Sequence, residues 1–276
     1  MSEVRRCPMA EFPRRDGCKT VIGVIHLQPL PGTPFHRDGT LEETVDIAVR
    51  SAVALEHGGA DGCLIQTADR VYSVADESDS ARTIAMGLVT DAVVRATGDG
   101  FQVGVQMMRN AVSASLAVAK VCGGSFVRIG AMVGMTLSPH GMVTPDPLRF
   151  MEYRRKISAQ HIAVVADVDS MHFSWFGGGK TTAEVAKAAR IAGADAVSLC
   201  HADDDVTLHM IDSVRAIAPH VPVVLAGGTH HGNAARLLAA ADGAFVGSCL
   251  EREGWGTEID AARVDAYMDI VRGIRR

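Results

Sequence analysis

The side chains of this 276-residue chain that could do chemistry cluster just after, or at the end of, short apolar runs. His26 lies in the run Val21–Leu27, Asp69 follows Gly62–Gln66, and Arg109 and Asn110 follow Gln102–Met108. Arg128 sits inside Phe126–Ala131, while Asp167, Asp169 and His172 close or follow Ile162–Val168. His201 follows Ala196–Cys200, Gly227 and Gly228 follow Val221–Ala226, and Gly247 and Ser248 end Ala244–Ser248. Asp167 or Asp69 is suited to act as a base, with His172 or His201 as the acid or its partner and His26 beside them. Arg109 and Arg128 offer planar, permanently charged forks for phosphate or carboxylate, with Asn110 as a neutral donor beside them. The two glycine pairs let backbone N–H groups approach an anion that a Cβ would hold away. Each group also has a structural alternative. Arg128, enclosed in an apolar run, is equally suited to an internal ion pair with Asp69 or Asp167, and the glycines could simply make tight turns.

Five of the eleven histidines (His26, His172, His201, His230 and His231) fall at such run ends. With Asp69, Asp167 or Asp169 they could hold a divalent metal. No HExxH or HxH spacing supports one, so no metal ligands and no cofactor are assigned. The segment Ser174–Thr181, SWFGGGKT, ends like a phosphate-binding loop but has serine where the first glycine is required, and it reads as a flexible loop. Lys19, Lys120, Lys156, Lys180 and Lys187 all lie outside the apolar runs, which disfavours a Schiff-base aldolase.

These groups need a scaffold that gathers run ends on one face. The eight runs are continuous rather than alternating, as in parallel strands buried on both sides. Between them lie helical patterns at Leu41–His57, Ser80–Ala96, Ala111–Val121, Pro147–Ser158, Thr181–Ala192, Asp205–Ala218 and Gly232–Ala240, and Ile259–Ile274 closes the chain. Three helix-to-strand junctions repeat one form: Ala60-Asp61-Gly62, Ala194-Asp195-Ala196 and Ala241-Asp242-Gly243. Eight βα units predict a (β/α)8 TIM barrel, an α/β fold of about 250 residues whose sites lie at the strand C-termini. An open doubly wound sheet is the runner-up, but no GxGxxG follows the first run. One domain is expected over residues 1–276, with 1–19 as an N-terminal extension.

Bulk properties narrow the partners. The net charge is −5 with a pI near 6.1, and no basic stripe offers an electrostatic footprint for nucleic acid. No run approaches the ~20 apolar residues of a membrane span, and the N-terminus has no apolar core to serve as a secretory signal. The six cysteines are scattered, which fits a cytoplasmic protein. A homo-oligomer is the ordinary expectation for such a barrel.

The stretch VIGVIHLQPLPGTP at Val21–Pro34 resembles the opening of the BtpA family, the photosystem I biogenesis family. So do Arg109–Ala111, FVRIG at Phe126–Gly130, Ala166–Val168 and ADGAFVGS at Ala241–Ser248. The resemblance implies a ribulose-phosphate-binding-like barrel, linked either to assembly of a photosynthetic membrane complex or to sugar-related gene neighbourhoods. It also shows departures that mark a divergent member. Gln66-Thr67 stands where the family tends to have Glu-Asn, and Gln106 and Ala111 replace an Asn and an Asp. Met171-His172 replaces Lys-His, His201–Asp205 replaces a Thr-Gly-rich loop, and Glu251 replaces a lysine. The expected function is an enzyme using acid–base chemistry on a phosphorylated sugar or nucleotide-like metabolite, as a lyase, isomerase or hydrolase. The alternatives are a non-catalytic assembly factor and a metal-dependent hydrolase.

Overall fold

The computed structural model describes residues 18–176 and 179–274. Eight parallel strands close into a barrel: β1 (Thr20–Leu27), β2 (Gly62–Thr67), β3 (Gln102–Gln106), β4 (Phe126–Ile129), β7 (Ala163–Asp169), β9 (Ala196–Leu199), β10 (Val223–Leu225) and β11 (Gly243–Val246). Around the barrel the order is β1-β11-β10-β9-β7-β4-β3-β2. Strand β1 therefore stands diametrically opposite β7, and β3 opposite β10. Outside run the helices α1 (Leu41–His57), α2 (Ser80–Ala96), α3 (Val112–Cys122), α4 (Pro147–Lys156), α5 (Thr182–Ile191), α6 (Asp204–Ile217), α7 (Ala234–Ala240) and α8 (Ala261–Arg272).

The continuous apolar runs serve two cores at once. Ile22, Val24, Leu64, Phe126, Val165, Val224 and Phe245 fill the bore. The alternate residues, among them Val21, Ile25, Val103, Val127 and Val164, pack against the helices. This two-sided burial is why the strands do not alternate with polar residues.

The repeated Ala-Asp step has a structural cause. Asp61 Oδ2 accepts the backbone N–H of Val21, Asp195 Oδ2 that of Val164, and Asp242 Oδ2 that of Val223. Each aspartate entering a strand thus satisfies an N–H near the start of the neighbouring strand and ties the barrel bottom together.

The sequence reading missed a small antiparallel sheet. Strands β5 (Thr136–Ser138), β6 (Gly141–Val143) and β8 (Ser174–Trp175) pair in the order β6-β5-β8. The segment read as a flexible loop, Ser174–Thr181, therefore begins as a strand, and Thr181 ends it by capping α5 through a reciprocal bond set with Glu184. Residues 177–178 of that segment, and 1–17 of the expected N-terminal extension, lie outside the described residues.

Candidate active site at the barrel mouth

The floor of the mouth is an ion pair. Arg128 projects inward from β4 and Asp167 from β7, and they meet with Nε–Oδ1 at 2.9 Å and Nη2–Oδ2 at 3.2 Å. Ser198 on β9 donates to the same carboxylate, and Arg128 Nη2 donates across the bore to Ala226 O at 3.0 Å. The guanidinium also lies 4.8 Å from the centre of the Phe245 ring. Arg128 and Asp167 are only 8% and 6% exposed. Both oxygens of Asp167 are engaged, so this residue fixes Arg128 and has no free oxygen to serve as a base. The internal-pair alternative for Arg128 is the one the structure adopts.

Above this floor stands a cation without a partner. Arg109, just past β3, makes no ion pair or side-chain hydrogen bond among the described residues. Burial lowers its pKa, with Asp167 opposing and Arg128 adding to the shift. His172, in the loop after β7, responds to the same charges. Burial lowers its pKa, Arg109 and Arg128 lower it further, and Asp167 partly opposes them. An imidazole in this setting stays neutral at neutral pH and can donate or accept a proton.

The β10 loop turns through two glycines with φ of +145° at Gly227 and +76° at Gly228, conformations that β-branched residues avoid. Asn233 holds the turn, its Nδ2 donating to Gly228 O at 3.1 Å. The backbone N–H groups of Gly228, Thr229 and Ser248 have no hydrogen-bond partner among the described residues. Gly247 has a different reason to be glycine: a Cβ there would stand 2.8 Å from Cε1 of His26. The helix expected to start at Gly232 begins only at Ala234 and runs seven residues, so the loop itself carries the donors.

His26 points into the mouth from β1, in register with Gln66, which is in turn in register with Gln106. Its Nδ1 lies 2.8 Å from Oε1 of Glu251, a residue with no exposed surface. Sequence reasoning noted Glu251 only as a departure from a family lysine. No spacing could reveal the pair, because 225 positions separate its members. Gln106 is buried with Oε1 unpartnered.

Other expected site residues stand elsewhere. Asp69 is fully enclosed, with Oδ1 accepting the Leu30 N–H and Oδ2 bound to Arg82 at 2.8 Å. It anchors the first loop to α2 and presents no free oxygen to the mouth. His201 is exposed at the start of α6, where its Nδ1 accepts the Asp203 N–H. No hydrogen bond joins it to Asp167 among the described residues. Asn110 lines a side cavity of about 170 Å³ with Asp76, Asp146, Arg149 and Phe150, and none of Arg109, Arg128, Asp167 or His172 lines it. Among the described residues no three His, Cys, Asp or Glu side chains converge to hold a metal ion, so the metal-dependent alternative finds no ligand set here. No described helix is long and apolar enough to cross a membrane.

The sequence matches the model of the BtpA family over residues 17–273. A protein of Archaeoglobus fulgidus is 31% identical over 258 residues, covering 92% of this chain and 99% of that one. The photosystem I biogenesis protein BtpA of Synechocystis is 29% identical over 252 residues, covering 90% and 86%. Among solved structures, a thiamine phosphate pyrophosphorylase from Pyrococcus furiosus superposes with a TM-score of 0.56 at 18% identity, covering 95% of this chain and 99% of that one. A tryptophan synthase from Mycobacterium tuberculosis superposes with a TM-score of 0.59 at 16% identity, covering 93% of each. These structural likenesses concern the barrel fold alone.

Proposed function

The chain belongs to the BtpA family, and we propose that it is an enzyme that binds a phosphorylated small metabolite at the barrel mouth and moves a proton on it, as a lyase or isomerase of the cytoplasm. The observation that carries this reading is the placement of two anion-seeking features on opposite walls. The unpaired Arg109 follows β3, and the free N–H groups of Gly228 and Thr229 follow β10, with Ser248 beside them after β11. A ligand with a phosphate at one end and a carbonyl or second anion at the other would span them. Backbone donors suit the phosphate, because they are fixed before the ligand arrives. Arg109 suits an oxygen on which charge develops, since a partly buried cation gains most from an anionic partner. His172 supplies a neutral imidazole beside that oxygen. The thiamine phosphate pyrophosphorylase among the fold neighbours, named for a phosphorylated compound, agrees with this reading.

Inorganic phosphate tests it. Calorimetric titration should detect binding to the wild-type protein. Gly228→Val forces a β-branched residue to φ +76° and covers the N–H donors. The strain, about 1–2 kcal/mol, lowers stability in the free and bound protein alike; the covered donors are what weaken binding, by at least about tenfold or 1.4 kcal/mol. Ser248→Ala keeps its backbone N–H and should change little. A folded Gly228→Val protein that binds phosphate as tightly as wild type places the anion elsewhere. The Synechocystis relative's name supports a second reading, a non-catalytic assembly role. That reading expects no phosphate binding at all.

A further inference from the structure

We propose that His26 and Glu251 form a carboxylate–imidazole dyad that supplies the general base of this site, on the wall opposite His172. The proposal rests on the phosphorylated-ligand reading above and names the proton acceptor within it.

The geometry orients the imidazole. Glu251 Oε1 stands 2.8 Å from His26 Nδ1 and also accepts the Gly256 N–H at 3.0 Å. Two donors on one oxygen hold the carboxylate in place, and Arg263 donates to the Glu251 backbone carbonyl from the other side. With a carboxylate at Nδ1, the stable neutral tautomer carries its proton there, and the lone pair is on Nε2. The chain makes room for this ring. Gly247 has no Cβ where one would lie 2.8 Å from His26 Cε1. The loop from Glu251 to Gly256 is also pinned to the first strand's loop by Gln28, whose Nε2 donates to Gly256 O at 2.8 Å. Trp255 from that loop lies with its ring centre 5.4 Å from the imidazole and is 57% exposed. It forms an apolar shoulder beside the base at the rim.

Two features distinguish the dyad from a simple strut. Glu251 Oε2 is buried with no hydrogen bond, so the carboxylate is not consumed by structural contacts as Asp69 and Asp167 are. A buried carboxylate with one oxygen unshared gains electrostatically when its neighbour becomes an imidazolium. The second feature is position. β1 stands four strands from β7 in either direction around the barrel, so His26 and the loop that carries His172 leave opposite sides of the ring.

The step balances without a cofactor. Nε2 of His26 takes a proton from carbon next to a carbonyl, and the C–H electron pair moves to the carbonyl oxygen as an enolate. Arg109 and the His172 N–H hold that oxygen. Return of the proton from Nε2 to the adjacent carbon, with the hydroxyl proton relayed between the two oxygens, completes an isomerisation. The substrate class is a phosphorylated hydroxyaldehyde or hydroxyketone.

Four measurements test the dyad. Long-range ¹⁵N–¹H spectra of histidine-labelled wild-type protein should show His26 protonated on Nδ1. Incubation in D2O with a panel of short phosphorylated hydroxyaldehydes and hydroxyketones should put deuterium next to the carbonyl of at least one. His26→Gln should slow that exchange by about 10²–10⁴-fold. Glu251→Gln, acting through the imidazole, should lower kcat by roughly tenfold or more at nearly unchanged KM, because binding contacts remain and imidazolium stabilisation is lost. Both variants should still bind inorganic phosphate within about threefold of wild type, a difference of about 0.7 kcal/mol. A proton on Nε2 in the wild type, wild-type exchange rates in both folded variants, or phosphate binding without exchange on any panel member would each overturn the dyad and leave the anion reading standing. Absence of phosphate binding by the wild-type protein would remove the reading beneath it.

Discussion

Breaking the floor of the mouth should move stability and anion affinity in opposite directions. Asp167→Asn removes the charge facing Arg128 but keeps a similar shape and can still accept from Ser198. Arg128 is then left 8% exposed with no carboxylate. Removing one partner of a buried pair costs about 3–5 kcal/mol. The Ala226 carbonyl and the Phe245 ring still hold the guanidinium at 3.0 Å and 4.8 Å, which argues for the lower end, roughly 3 kcal/mol. Arg128→Met should cost more, about 4–5 kcal/mol, because it strands the carboxylate and leaves the Ala226 oxygen unpaired. The double replacement Arg128→Met with Asp167→Asn should fall well short of the sum of the two single costs, with a coupling of about 2–3 kcal/mol. Urea denaturation at neutral pH reads these values from the midpoint at constant slope. On heating, Asp167→Asn should lower Tm by roughly 6–12 °C at about 2–4 °C per kcal/mol. In the same protein, phosphate binding should tighten, because Arg128 loses its ion-pair partner and Arg109 the negative charge that acts on it. A loss below about 1 kcal/mol in either single variant, or additive costs in the double, would refute the buried-pair reasoning. Weaker phosphate binding in a folded Asp167→Asn protein would refute the electrostatic part.

Arg109→Gln should leave Tm nearly unchanged, since no ion pair is broken, while weakening a ligand anionic at both ends at least about tenfold, or 1.4 kcal/mol; calorimetry beside thermal denaturation checks both halves. His172 gives a pH signature. Its folded pKa lies below the unfolded value of 6.5, so the unfolded chain takes up its proton first, and stability falls as pH drops through about 6.5 towards the folded value. His172→Gln should therefore lose less Tm than wild type between about pH 7.5 and 5.5, and parallel losses would show that His172 is not depressed.

The parts legible in the sequence are those set by local chemistry. Leu41–His57 and Ser80–Ala96 match α1 and α2 end to end; Gly58 and Gly59 follow α1, and in the structure Asp79 caps α2. The eight-unit barrel followed from continuous apolar runs and the repeated Ala-Asp step, although the carboxylate's bond to the neighbouring strand could not be seen. The small sheet was missed because strands of two or three residues carry no periodicity. Strand-end position pointed to Arg109, Arg128, Asp167 and the glycine turns, and the structure places Arg128 and Asp167 in one ion pair. It also drew in Asp69, whose partner Arg82 is a buried residue of α2.

Residues chosen for one role can therefore take another when the ring closes. Gly247 was expected to open the backbone to an anion, and its missing Cβ makes room for His26 instead. Asp167 was expected to be a base, yet it holds Arg128 across the bore, and Arg109 is left as the cation without a partner. The dyad proposed as the base depends on the barrel order: β1 closes against β11, so the loop after β11 reaches His26 with Glu251. Strand ends name the candidates in such a barrel. Which of them are free to react depends on side chains that the closing strands bring together, and those pairs carry no signal in spacing along the chain.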